Sequence, residues 1–93
     1  MNTPLPESEI PSLLAKIPAW KRDVVEISRQ FQFRDFAAAI AFVNAVAEKA
    51  GAANHHPDID IRWNKVLLRL STHSAGGLTE ADFALAQQID HLD

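Results

Sequence analysis

An α+β fold is what the sequence predicts: two layers, a four-stranded antiparallel sheet with three helices packed on one face, in the order α-β-β-α-β-β-α. Three observations predict it. Apolar and polar residues alternate with period two in two separate blocks, at residues 25–33 and 58–73, as half-buried strands do. Between them, residues 36–50 switch to a helical period. Shorter helical patterns stand at both ends of the chain. Strand pairs on either side of a central helix form one sheet most simply by pairing across that helix.

Taken in order, residues 1–7 read as a loose leader of prolines and polar groups. Ile10, Leu13, Leu14 and Ile17 then recur at i, i+3, i+4 and i+7, the apolar stripe of a short helix. Pro11 fits only its first turn, and Pro18 stops it. Trp20 opens the first strand. From Val25 to Phe33, residues Val25, Ile27, Phe31 and Phe33 face one way, with Arg29 interrupting. Ser28, Gln30 and Gln32 face the other. Asp35 is a suitable N-cap for the central helix.

Residues 36–50 form the strongest helix. Phe36, Ile40, Val43, Ala47 and Ala50 give one apolar stripe, Phe42 and Val46 define a second, and only Asn44 and Glu48 mark a polar strip. A single-domain helix needs one buried face, so the second predicts a subunit interface through Phe42 and Val46. Gly51 ends the helix. Ile59, Ile61 and Trp63 then alternate with Asp58, Asp60 and Arg62, Asn64-Lys65 turns the chain, and Val66, Leu68 and Leu70 alternate with Leu67, Arg69, Ser71 and His73. Thr79 and Asp82 have the spacing of a capping box for a last helix. Asp82 also lies on the face that looks at the protein, where an acid needs a partner. The helical pattern fades after Leu92.

Ninety-three residues make one domain, spanning 1–93, large enough to bury a core. A formal charge of −3 argues against direct binding to nucleic acid or an anionic membrane. With no cysteine there is no disulfide framework and no thiolate metal site. The N-terminal dozen residues hold acids and three prolines where a signal peptide needs positive charge and an apolar run. No apolar stretch approaches the roughly 20 residues of a membrane span. A cytoplasmic location is the expectation.

Three of the four histidines fall in two short segments, Asn54-His55-His56-Pro57-Asp58 and Ser71-Thr72-His73-Ser74-Ala75-Gly76-Gly77-Leu78-Thr79. The hairpin between them carries His73 back towards His55 and His56. Imidazole titrates near neutrality, so such a cluster gives and takes protons without a cofactor. A single histidine is more often a surface or core residue, which is the plain alternative for each.

Asn-His-His-Pro, the aromatic Trp63 seven residues after His56, Asn-Lys-Val after it, and Ser-Thr-His-Ser-Ala-Gly-Gly-Leu-Thr-Glu-Ala-Asp together resemble the pterin-4a-carbinolamine dehydratase family. Phe31-Gln32-Phe33-Arg34-Asp35-Phe36 and Ala41-Phe42-Val43 are similar to it too. The likeness runs from about Trp20 to the C-terminus.

The resemblance implies dehydration of a 4a-hydroxytetrahydropterin to the quinonoid dihydropterin, supporting tetrahydropterin recycling, with no metal and no redox cofactor. His56 and His73 are expected around the reacting centre, with His55 as a second proton-transfer partner. Trp20 would border the pterin pocket, where a flat ring can stack on a flat heterocycle. Asn54, Pro57, Ser71, Thr72 and Ser74 would bind the pterin, and Asp82 would orient a histidine or hold the substrate. Gly51 and Asn54 stand where parts of the family carry an acid, so no carboxylate role is expected there. A homodimer or homotetramer is implied, with an aromatic amino-acid hydroxylase as a further partner. Two functional rivals stand beside this. One is a non-catalytic interaction module serving a hydroxylase or a transcription factor. The other is a role in molybdopterin-cofactor metabolism. A zinc site built from His55, His56, His73 and Asp82 is the chemical rival, disfavoured because neighbours in an extended segment rarely converge on one ion.

Overall fold

The period-two blocks form the sheet. In a computed structural model that describes residues 3–93, β1 (Lys21–Asp23) pairs antiparallel with β2 (Glu26–Gln32), and β3 (Asp58–Arg62) with β4 (Lys65–Leu70). The two hairpins join through β2 and β4, with Ile27 opposite Leu70 and Phe31 opposite Val66, giving the order β1-β2-β4-β3. Helices α1 (Ile10–Leu14), α2 (Phe36–Ala53) and α3 (Glu80–Asp90) supply the second layer. The core lies between the layers: Ile27, Phe31, Val66, Leu68 and Leu70 from the sheet meet Ala39, Phe42, Val46 and Ala50 from α2 and Phe83, Leu85, Ala86 and Ile89 from α3. The predicted α+β architecture and element order are those observed.

The second stripe of α2 is core, contrary to the expectation, and only part of the first, including Ala50, is buried with it. Phe42 is only 6% exposed and its ring packs 4.6 Å from Phe31 and 4.9 Å from Phe33, centroid to centroid. Val46 is fully buried. These two residues are core, so no subunit interface runs through them. Phe36, on the other stripe, is 51% exposed. The cause is packing: the aromatic cluster on β2 captures the larger side chain, and periodicity alone could not say which of two stripes would meet it.

Three local expectations also change. The leader is tied down: Leu5 N donates to Leu78 O at 2.8 Å and Glu7 pairs with Arg22, while Met1 and Asn2 lie outside the described residues. Val25 belongs to the β1–β2 turn instead of the strand, and the turn of the second hairpin is Trp63-Asn64, with Trp63 at φ 52°. The interruption at Arg29 has an answer. Its guanidinium reaches Asp90 at 2.6 Å and Asp93 at 3.1 Å and stacks 4.2 Å over Phe31, so a charge on the inner face is satisfied where α3 ends.

By length and composition α2 is also long and apolar enough to cross a membrane, contrary to the expectation that no stretch would be. Its buried residues, however, belong to the core shared with the sheet.

Candidate active site

The end of α2 places the first histidine. The helix runs past Gly51 to Ala53, and Asn54, not Gly51, takes the left-handed conformation that closes it, at φ 50°. Asparagine tolerates this region better than other side-chain-bearing residues. Asn54 N donates to Gly51 O at 3.2 Å and His55 N to Ala50 O at 3.1 Å, the paired bonds of a Schellman closure. His55 is therefore anchored by its own backbone to the last turn. Pro57 then carries the chain into β3.

The ring of His55 turns inward to Asp82. Its Nε2 lies 2.5 Å from Asp82 Oδ1, and Asp82 is fully buried. A buried carboxylate needs its lone pairs satisfied, and this one is. Oδ2 accepts from Thr79 N at 2.9 Å and from Thr72 Oγ1 at 2.8 Å. Thr72 gives its one proton to Asp82, so Thr79 Oγ1 donates to it at 2.8 Å. With the carboxylate as acceptor, His55 donates from Nε2 and leaves Nδ1 outside this bond. Asp82 thus caps α3, holds the loop after β4 through Thr72, and orients the His55 ring. The capping role and the charge-partner role predicted for it coexist.

His56 and His73 are exposed, and with His55 they line one open cleft of about 220 Å³. His73 opens a single 3-10 turn, His73–Ala75, closed by Gly76 at φ 71°. Asn54, Ser71, Thr72 and Ser74 line the same cleft. Pro57 and Asp82 do not line it, Asp82 reaching it through His55 and Thr72. Trp20 stands apart. Its indole N–H donates to Asp90 Oδ1 at 2.8 Å, and its ring packs edge-on against Phe31, 6.4 Å between centroids. Core packing accounts for it without a ligand.

Two lining residues were not anticipated, Asp58 and Arg69. They are cross-strand partners on β3 and β4, and Arg69 Nε also stands 3.5 Å from Glu26. The signal was present: each lies two residues from a predicted site residue, His56 and Ser71, and so on the same face of its strand. Among the described residues, no three His, Asp or Glu side chains gather as a set that could hold a metal ion.

Comparison with known proteins gives a consistent picture. The family model described as pterin 4 alpha carbinolamine dehydratase matches residues 3–92. A pterin-4-alpha-carbinolamine dehydratase of Acidobacterium capsulatum is 62% identical over 79 residues, covering 85% of this chain and 86% of the relative. One from Chloroflexus aurantiacus is 58% identical over 88 residues, covering 95% of each. Among solved structures, a transcriptional coactivator/pterin dehydratase from Brucella melitensis superimposes with a TM-score of 0.91 at 33% identity, covering 97% of this chain and 98% of that one. A pterin dehydratase-like RuBisCO assembly factor of the alpha-carboxysome gives 0.64 at 26% identity, covering 78% and 84%.

Proposed function

The chain belongs to the pterin 4 alpha carbinolamine dehydratase family, and from that premise we propose that it dehydrates a 4a-hydroxytetrahydropterin by histidine acid/base catalysis. In this reaction the C4a–O bond breaks and the hydroxyl leaves as water, carrying a donated proton. A ring nitrogen loses its proton to a base, and its electron pair closes the C=N bond of the quinonoid dihydropterin. One proton is given and one is taken, so histidines alone balance the reaction.

The observation that carries the reading is three histidines on one cleft, one of them oriented by a buried, fully bonded carboxylate. His56 and His73, exposed to the cleft, act at the reacting atoms as acid and base. His55, oriented by Asp82, is the second proton-transfer partner. Asn54, Ser71 and Ser74 meet the polar edge of the pterin.

Stopped-flow absorbance tests this. Carbinolamine decay accelerates when the protein is added at micromolar concentration. Decay at the buffer rate, with folding verified by circular dichroism, would overturn the dehydratase reading. It would leave an interaction role, of the kind named for the Brucella coactivator and the carboxysome assembly factor.

The same reading includes a second copy of the chain. Its support is the flank where the exposed edge strand β3 carries Ile59 and Ile61 half exposed, next to a 66%-exposed Trp63.

A further inference from the structure

Beside the histidine cleft lies a second cavity of about 230 Å³, lined by Val25, Ser71, Thr72, His73, Gly76 and Gly77. Ser71, Thr72 and His73 line both, so the two spaces adjoin across β4's end and His73. The outer wall of the second is the β1–β2 turn. Val24 there stands at φ 51°, a region that strains a β-branched residue, and it is 73% exposed. Val25 is 49% exposed. Two adjacent valines that bury little and strain the backbone contribute nothing evident to the core, and strain held in place by its surroundings points to a use.

The surroundings do hold it. Arg22 Nε donates to Val24 O at 3.0 Å, while its two terminal nitrogens grip both carboxylate oxygens of Glu7 at 2.7 and 2.6 Å. Hydrogen bonding from that guanidinium holds the Glu7 carboxyl below its ordinary range, so the fork stays ionised near neutrality. The same N-terminal segment braces the opposite wall. Leu5 N bonds Leu78 O, and Pro4 lies so close to Gly77 that a Cβ there would come within 3.2 Å of Pro4 Cβ. One strap fixes both sides of the cavity.

We infer that this cavity receives the C6 substituent of the bound pterin and that Val25 is its specificity-determining wall. The inference rests on the pterin reading. The histidine cleft is lined mostly by polar residues and suits the heterocycle's amide and amine edges. The adjoining cavity has a valine wall and a glycine floor, with Ser71 on the shared boundary. Those surfaces fit a short alkyl or hydroxyalkyl chain, the part by which one natural pterin differs from another.

The test compares two 4a-hydroxytetrahydropterins differing only at C6, one carrying methyl and one carrying a three-carbon dihydroxypropyl chain. Steady-state kcat and KM are measured for the wild type, for Val25→Trp, which fills the cavity, and for Val25→Ala, which enlarges it. The KM ratio of the larger to the smaller substrate rises about 10-fold in Val25→Trp, the discrimination usual for a filled apolar subsite, and moves the other way in Val25→Ala. The kcat ratio stays level. A KM ratio unmoved in Val25→Ala overturns the inference, even where Val25→Trp fails to fold. Wild-type protein inactive on both pterins overturns the dehydratase reading itself, and this inference with it.

Discussion

Burial separates the three histidines of the cleft before any chemistry is considered. His55 is mostly covered and bonded to a buried carboxylate, whereas His56 and His73 stand exposed at the cleft with no packing role in the core. Replacing His56 or His73 by alanine therefore leaves the melting temperature nearly unchanged. Each replacement lowers turnover by about 10²–10⁴-fold, the usual worth of a positioned proton donor or acceptor. Under the proposed mechanism both act on one proton-transfer sequence, so the double variant loses less than the product of the singles. His91, exposed at the end of α3 and far along the chain from the motif, tolerates alanine and serves as the control. Thermal melts beside steady-state turnover check this, and a collapse of stability with activity would make the two histidines packing residues. The histidines were legible in the sequence because loop residues beside Pro57 and Gly76-Gly77 announce themselves by type. Asp58 and Arg69 were legible only in part: their two-residue spacing from His56 and Ser71 marked the face, whereas their meeting beside the cleft depends on the register of the second hairpin. Trp20 was not placeable from its type, which suits both a stacking platform and a core, and its bond to Asp90, 70 residues away, is what ties it to the core.

Elements were legible wherever a period was long and clean, and illegible where two local solutions competed. The strands and α2 and α3 follow from alternation and helical spacing, and the capping box of α3 from Thr79 and Asp82. At the end of α2 the competition was between Gly51 and Asn54. Glycine has the wider conformational freedom, but the helix continues through it because Ala52 and Ala53 are good helix formers and Asn54 can take the closing turn. Asn54→Gly thus keeps or slightly raises stability, while Asn54→Ala, at φ 50°, costs about 1 kcal/mol and shifts the position of His55. Urea unfolding measures the first effect and turnover the second. The competition between the stripes of α2 was settled at the end of β2, where Phe31 and, just past the strand, Phe33 meet Phe42. Phe42→Ala then costs about 3–5 kcal/mol, whereas Phe36→Ala on the exposed stripe costs under about 1 kcal/mol. Equal costs in the two variants would return Phe42 to the surface.

At the scale of the whole molecule, one flank is unfinished. Strand β3 closes the sheet on one side with its outer edge unpaired by any other strand among the described residues, and its inner-face residues Ile59 and Ile61 stand half open beyond the reach of the core. Trp63 is held at the hairpin tip in a left-handed conformation that favours glycine or asparagine, and its ring is mostly in solvent. An exposed apolar strand edge is an invitation to pair, which soluble proteins blunt with charge or cover. Here Asp58, Asp60 and Arg62 charge the other face of β3, and in the proposed self-association the apolar side meets the same pattern on a second copy of the chain. A strand edge pairs antiparallel with itself across a two-fold axis, which doubles the hydrogen bonds and the apolar contact in one step. Sedimentation velocity at micromolar concentration therefore gives a wild-type species larger than the monomer. Ile61→Glu, at a half-exposed edge position, costs little in folding but weakens association by more than about 1 kcal/mol, enough to expose the monomer on dilution. Phe42→Ala is a poor probe of the same question, because its loss of core packing destabilises the protomer itself. A wild-type monomer throughout the micromolar range would show instead that this edge is left open.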